Sequence, residues 1–100
     1  MKDHLKILIA ESYGTFLLGY VINSCDGAPR GVFAGLMVAI ISTGGISEAH
    51  FNPAVTITII TGRAIMGELS RERLVLYLKF IPIHFIFMIL GAIAGYAVSG

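Results

Sequence analysis

Charge is scarce in this sequence of 100 residues. Seven basic and six acidic side chains make up 13% of the chain, about half the share of an ordinary soluble domain. The net charge of +1 provides no basic surface for nucleic acid. A single cysteine, Cys25, cannot form a disulfide within the chain. Because 56% of the residues are hydrophobic, these shortages exclude a soluble globular domain, a disordered tail and a disulfide scaffold.

Three long apolar runs are present instead. A membrane-spanning helix needs about 20 mostly apolar residues, and residues 5–24, 31–47 and 74–99 meet this requirement. The first run could alternatively be a signal peptide, but Glu11 and Tyr13 interrupt it, whereas a signal peptide keeps an unbroken apolar core. We therefore predict an integral, multi-pass membrane protein that is embedded in the lipid bilayer.

A fourth apolar segment is too short to cross the bilayer. Residues 53–62 would form a helix of about 15 Å, half the thickness of the hydrocarbon layer. Asn52 is a preferred N-cap, Pro53 suits the first helical position, and Gly62 is expected to end the helix. The segment either lies on the membrane surface or enters and returns. It lacks the charged face of a surface helix, so we predict a re-entrant half-helix.

The N-terminus of such a half-helix would lie deep in the bilayer. It carries a partial positive charge and free N–H groups, which repel cations and can orient a water molecule. Asn52 adds an amide donor, and the residues before it offer carbonyl acceptors. This arrangement suits neutral polar molecules. The sequence contains no nucleophile–base pair, metal-ligand cluster or phosphate-binding loop, so we expect no enzyme activity, no metal and no cofactor.

Two motifs resemble a known family. Residues 47–56, SEAHFNPAVT, resemble the first signature loop of the aquaporins, and residues 10–16, AESYGTF, resemble the motif of their first helix. Aquaporins contain two inverted halves, each with three spans and one half-helix, and this chain resembles the N-terminal half alone. The resemblance implies an all-α membrane protein with three transmembrane helices and one re-entrant half-helix, at residues 53–62, within a single unit covering residues 1–100.

The resemblance also implies a pore for water or small neutral solutes such as glycerol. The residues implied to line it are Asn52, Pro53, Ala54, His50, Ala49 and Glu48. Glu11 and His50 are implied to brace the loop by hydrogen bonds, which would explain an acid within a span. The resemblance also implies a constriction residue from the second span, for which Val32, Phe33 and Ala34 are the candidates.

Several positions depart from the family pattern. Glycine is usual where Glu48 stands. If this position needs a positive φ, glutamate is strained there, and if not, an additional acid faces the pore. Val55 follows the Asn-Pro-Ala triplet in this chain. In the second half of an aquaporin, an arginine follows the corresponding triplet. Met88 replaces an expected glutamine, and Tyr77 and His84 are rival matches to the family's tyrosine.

A half-channel conducts only when a second half completes it. That half could be a second copy of this chain in an antiparallel homo-oligomer, or a separate complementary chain, and this chain could itself be a fragment of a full channel. The alternative is a small non-conducting membrane protein with a role in assembly or regulation. Such a role would not require Asn52, His50 and Glu11.

The distribution of basic residues predicts the orientation. Five of the lysines and arginines lie at or before the start of the first span or between the second and third, whereas Arg30 alone lies between the first and second. Because cytoplasmic loops are enriched in basic residues, we expect a cytoplasmic N-terminus and an external C-terminus. Protease access to a tag on each terminus, in vesicles of known sidedness, measures this. A mixture of orientations would contradict it and favour the antiparallel homo-oligomer.

Overall fold

The computed structural model describes residues 2–26 and 28–99. It contains four helices: α1 (Lys2–Ser24), α2 (Pro29–Thr43), α3 (Pro53–Ile65) and α4 (Arg71–Ser99). Within these residues the β-structure is limited to an isolated bridge between Gly44 and Ser47. The predicted all-α class is therefore confirmed.

Helices α1 and α4 pack closely along their length because glycines face the opposite backbone. A Cβ atom on Gly91 or Gly95 of α4 would overlap a carbonyl oxygen of α1, that of Phe16 or Tyr20 respectively. On α2, a Cβ atom on Gly35 would overlap the side chain of Val21 in α1. Small residues at this spacing allow backbones to approach without a hydrophobic driving force. Helix α1 therefore lies between α2 and α4.

Helix α2 has different bounds from the predicted span 31–47. It begins at Pro29, since proline fits the first helical turn, where its missing N–H is not needed. It ends at Thr43, whose carbonyl oxygen accepts from the amides of Ile46 and Ser47 at 2.9 and 3.2 Å, and the chain turns at Gly45 with φ of +85°. Fifteen residues give about 22 Å of helix.

By length and apolar composition, two helices of the described chain are long enough to cross a membrane. These segments are His4–Ser24 and Arg71–Val98, and the second remains helical through Pro82. Helices α2 and α3 are apolar but shorter.

Helix α3 begins as predicted and ends later. Asn52 is the N-cap and Pro53 the first helical residue, so both predictions are confirmed. The prediction that Gly62 ends the helix is wrong: the helix continues to Ile65, and the chain turns at Gly67, whose φ is +71°. Glycine adopts either helical or left-handed backbone angles, and here the second glycine adopts the left-handed conformation.

Helix α3 has one helical neighbour. In the described part of the chain it packs on α4 and makes no packing contact with α1 or α2. Ile65 of α3 is 81% exposed, and Ala54, Thr58 and Thr61 on the same helical face are exposed as well. One side of this short helix is therefore uncovered.

Adding side chains at two helical glycines should have opposite effects. Gly95→Leu would force α1 and α4 apart, and overpacking of this kind costs about 1–3 kcal/mol. Gly62→Ala is the matched control, because a Cβ atom there has nothing within 4 Å and alanine favours a helix interior by about 0.5–1 kcal/mol. Denaturant unfolding in detergent, followed by circular dichroism, measures both. Equal stability of the two variants would contradict the close packing of α1 on α4.

Candidate functional site

The loop between α2 and α3 is packed into the space between α1 and α4. Phe51 is fully buried, and its ring occupies the space that a Cβ atom on Gly14 of α1 would need. The glycine in the first-helix motif therefore has a steric role, since any larger residue would displace the Phe51 ring.

The carboxylate of Glu11 receives the loop backbone. Its Oε2 accepts a hydrogen bond from the amide of His50 at 3.2 Å, and its Oε1 accepts one from the amide of Phe51 at 3.0 Å. The Nε2 atom of His84 lies 2.9 Å from the same Oε1. Glu11 and His84 are both fully buried, so one carboxylate connects α1, the loop and α4.

The loop has an unusual backbone conformation. Ala49 and Phe51 have φ values of 55° and 56°, in the left-handed region that non-glycine residues occupy at a cost of about 1–3 kcal/mol each. Glu48 is absent from the positive-φ residues of the described chain. The prediction that glutamate could be strained at position 48 is therefore not met, and the strain lies at its neighbour instead.

Asn52 caps α3 with one side-chain atom and keeps the other unbonded. Its Oδ1 accepts from the amide of Ala54 at 2.8 Å. Among the described residues, no protein group hydrogen-bonds to its Nδ2 or to the carbonyl oxygens of Glu48, Ala49 and His50. A two-proton donor at a helix N-terminus therefore follows three carbonyl acceptors along the chain.

His50 connects the loop to helices α3 and α4. Its Nδ1 lies 2.9 Å from the Thr56 hydroxyl on α3. Its ring centroid is 5.1 Å from that of Tyr77 and 5.3 Å from that of Phe80, both on α4. Because the imidazole is buried, its contribution to a surface of the loop comes from its carbonyl group.

Glu48 takes part in an ionic cluster that sequence reasoning did not find. Its Oε2 lies 3.2 Å from Nη1 of Arg73 and accepts a hydrogen bond from the Tyr77 hydroxyl. Its Oε1 lies 3.7 Å from Nη2 of Arg63 and 3.6 Å from Nε2 of His50. The available signal was Arg73 and Tyr77 on one helical face, four residues apart. The sequence alone does not show that this face of α4 contacts the loop.

His84, one of the two rival matches to the family's tyrosine, contacts Glu11. A signal for this pairing existed, since Glu11 is the one acid in the apolar middle of α1 and His84 the one histidine in that of α4. Buried charges in an apolar layer are normally paired. Within the described chain, two buried side-chain nitrogens have no hydrogen-bond partner: Nε2 of His50 and Nδ1 of His84.

The three constriction candidates lie apart from the loop along α2. Val32, Phe33 and Ala34 belong to the first two turns of the helix, and Phe33 is 66% exposed. The loop follows the other end of α2, which is about 15 Å farther along the helix axis. Their role as a constriction remains a prediction.

Two named proteins match most of this chain. Aquaporin-3 of Milnesium tardigradum is 33% identical over 98 aligned positions, which cover 77% of this chain and 29% of that protein. Probable aquaporin PIP2-7 of Oryza sativa subsp. japonica is 40% identical over 109 positions, which cover 90% of this chain and 34% of that protein. The chain thus spans about a third of the length of these relatives. No family model and no solved structure matches. The chain is similar to aquaporins over most of its own length.

Removing the Glu11 carboxylate should release the loop. Glu11→Ala leaves the amides of His50 and Phe51 and the His84 imidazole without their acceptor, and an unsatisfied buried polar group costs about 1–3 kcal/mol. We expect a loss of stability of at least about 2 kcal/mol and faster hydrogen exchange at both amides. Glu68→Ala removes an exposed acid and is the control. Unchanged exchange at His50 and Phe51 in the Glu11 variant would contradict this role.

Proposed function

We propose that the chain belongs to the aquaporin family and forms one half of a membrane channel for water or small neutral solutes such as glycerol. One observation carries the proposal. Asn52 caps a helix of 13 residues with its Oδ1, and it keeps its amide donor free next to the free carbonyl groups of residues 48–50. A molecule that both donates and accepts hydrogen bonds is the complementary ligand.

The helix that follows Asn52 contributes a fixed electrostatic field. The first N–H groups of α3 have no partner within the helix, and the helix dipole places partial positive charge at this end. Cations are repelled there, whereas a water oxygen is attracted and its protons point away. The lining that we propose comprises Asn52, Pro53 and Ala54 together with the carbonyl groups of Glu48, Ala49 and His50. Glu11 and His50 act as its braces.

The apolar surface supports a position within the bilayer. Helices α1 and α4 are long enough to cross it, and Phe33 and Ile41 of α2 are exposed at 66% and 73%. With α2 only about 22 Å long, the loop after it would begin within the apolar layer. Irregular backbone is tolerated at that depth where protein or a water-filled cavity surrounds it. We propose the cytoplasmic N-terminus that the basic residues predict.

A second half would cover the uncovered side of α3. Ala54, Thr58 and Ile65 are exposed there, and α4 is the one helix of the described chain that packs on α3. We propose that a second copy of this chain or a separate complementary chain occupies this side. Val55 stands directly after Ala54, so this half contributes no arginine at that point, and the charge barrier there depends on the half-helix N-terminus.

Asn52→Asp should strongly reduce conduction and leave the fold intact. Aspartate is an equally good N-cap, but it replaces the amide donor by an acceptor-only carboxylate. We expect the osmotic water permeability of vesicles carrying the purified chain to fall by at least about tenfold, as the loss of one strong hydrogen bond would give. Stopped-flow light scattering of these vesicles measures the permeability.

Ser70→Asp is the matched control. It adds the same charge at an exposed position and preserves a cap, because Ser70 accepts from the amide of Arg73 at 3.1 Å. Its vesicles should swell as the wild type does. Wild-type vesicles that do not swell in either orientation would exclude a channel made of copies of this chain, and would leave a separate complementary chain or a non-conducting role in assembly or regulation.

A further inference from the structure

One stripe of α4 contacts the whole length of the re-entrant loop. It consists of four side chains spaced four, three and four residues apart: Arg73, Tyr77, Phe80 and His84. From the inner end outward, these side chains contact the carboxylate of Glu11, the ring of His50 and the carboxylate of Glu48. The inner contact is the brace described above. The outer contact has no role in the function proposed so far.

We propose that Glu48 is a second anchor of the loop, a positioning residue whose carboxylate joins the loop to α3 and α4. This inference rests on the proposed function in one respect, namely that the anchored segment carries Asn52 into the pore. The anchor itself is a property of the fold and can be tested without any measurement of conduction.

The first argument is connectivity. Glu48 begins the irregular stretch that leads to Asn52, Arg63 lies in the last turn of α3, and Arg73 lies in the first turn of α4. The carboxylate oxygens lie 3.2 Å from Arg73 and 3.7 Å from Arg63. A single side chain thereby connects the loop before α3 with the end of α3, and fixes both to α4.

The second argument is the backbone strain. Ala49 has a φ of 55°. It lies between Glu48 and the amides of His50 and Phe51, from which Glu11 accepts hydrogen bonds. A left-handed alanine persists only where its surroundings hold both of its sides. The Glu11 carboxylate holds the chain after Ala49, and the Glu48 carboxylate holds the chain before it.

The third argument is charge. In the described part of the chain, Glu48 is the one acid paired with Arg63 or Arg73. The side chains of Glu48 and Arg73 are 40% and 46% exposed, so their attraction is partly screened by salt. Neutralising Glu48 leaves two guanidinium groups around an uncharged amide. The effects of removing Glu48 and removing Arg73 should therefore be coupled.

A double-mutant cycle tests the anchor. The full chain in lipid nanodiscs carries Glu48→Gln, Arg73→Gln or both, and NMR follows hydrogen exchange at the Ala49 amide, which donates to the Ser47 hydroxyl at 3.1 Å. We expect each single variant to raise the exchange rate by roughly three- to tenfold, and the double variant to raise it no further, because a charged pair acts as a unit. Arg73→Lys should restore most of the protection.

Salt provides a readout that a purely steric role would not change. Raising the ionic strength should speed exchange at Ala49 in the wild type and have little effect in Glu48→Gln. Glu68→Gln, which neutralises an exposed acid, is the control and should behave as the wild type. Additive effects of the two substitutions, or exchange at Ala49 that neither substitution changes, would overturn the anchor.

Measurements of conduction separate this inference from the proposed function. If Glu48→Gln and Arg73→Gln show coupled exchange but permeability does not depend on Asn52, the anchor stands and the pore fails. If permeability depends on Asn52 but the hydrogen-exchange rate at Ala49 is unchanged in Glu48→Gln, the pore stands and the anchor fails. If both hold, Glu48→Gln should also lower permeability by roughly threefold or more, since Asn52 loses its fixed position.

Discussion

A carboxylate buried within α1 holds the backbone on which the rest of the site is built. Glu11 accepts from two successive amides of the loop, and hydrogen bonds to a charged group contribute about 1.5–3 kcal/mol each. Two loop residues, Ala49 and Phe51, adopt left-handed angles that cost about 1–3 kcal/mol each. The two contributions are similar in size, so the hydrogen bonds to Glu11 can offset the cost of the strained loop backbone. The direction of α3 and the position of its N-terminus follow from that conformation.

This carboxylate reaches the loop because α1 and α4 are in close contact. Gly91 and Gly95 remove the side chains that would separate the two backbones, which brings His84 within 2.9 Å of Glu11. Gly14 then leaves space for the Phe51 ring beside the same carboxylate. The glycines bring the two helices close together, and this short distance allows the side chains of Glu11 and His84 to be in contact.

The sequence predicted local features better than contacts between elements. The Asn52 cap and the first position of Pro53 were predictable because they depend on adjacent residues. Gly62 was a misleading end signal because a glycine tolerates both helical and left-handed angles, and the choice between Gly62 and Gly67 depends on packing. The Gly44-Gly45 pair was a local signal for the early end of α2. The ionic cluster of Glu48 was not predictable, because it depends on which surface of α4 the loop meets, and no local pattern encodes this.

The proposed channel requires that the same short segment be rigid and incompletely hydrogen-bonded. Unpaired backbone groups cost several kcal/mol in hydrocarbon, so the free carbonyl groups of residues 48–50 and the free amide of Asn52 would not persist at membrane depth beside lipid. They can persist beside water. The anchors at Glu11 and Glu48 use the carboxylates of the site to fix its backbone, and they leave the neutral donors and acceptors for the solute. A cavity lined in this way supplies the hydrogen bonds that a neutral polar molecule gives up on leaving bulk water, and it offers a cation no ionised group along residues 49–54.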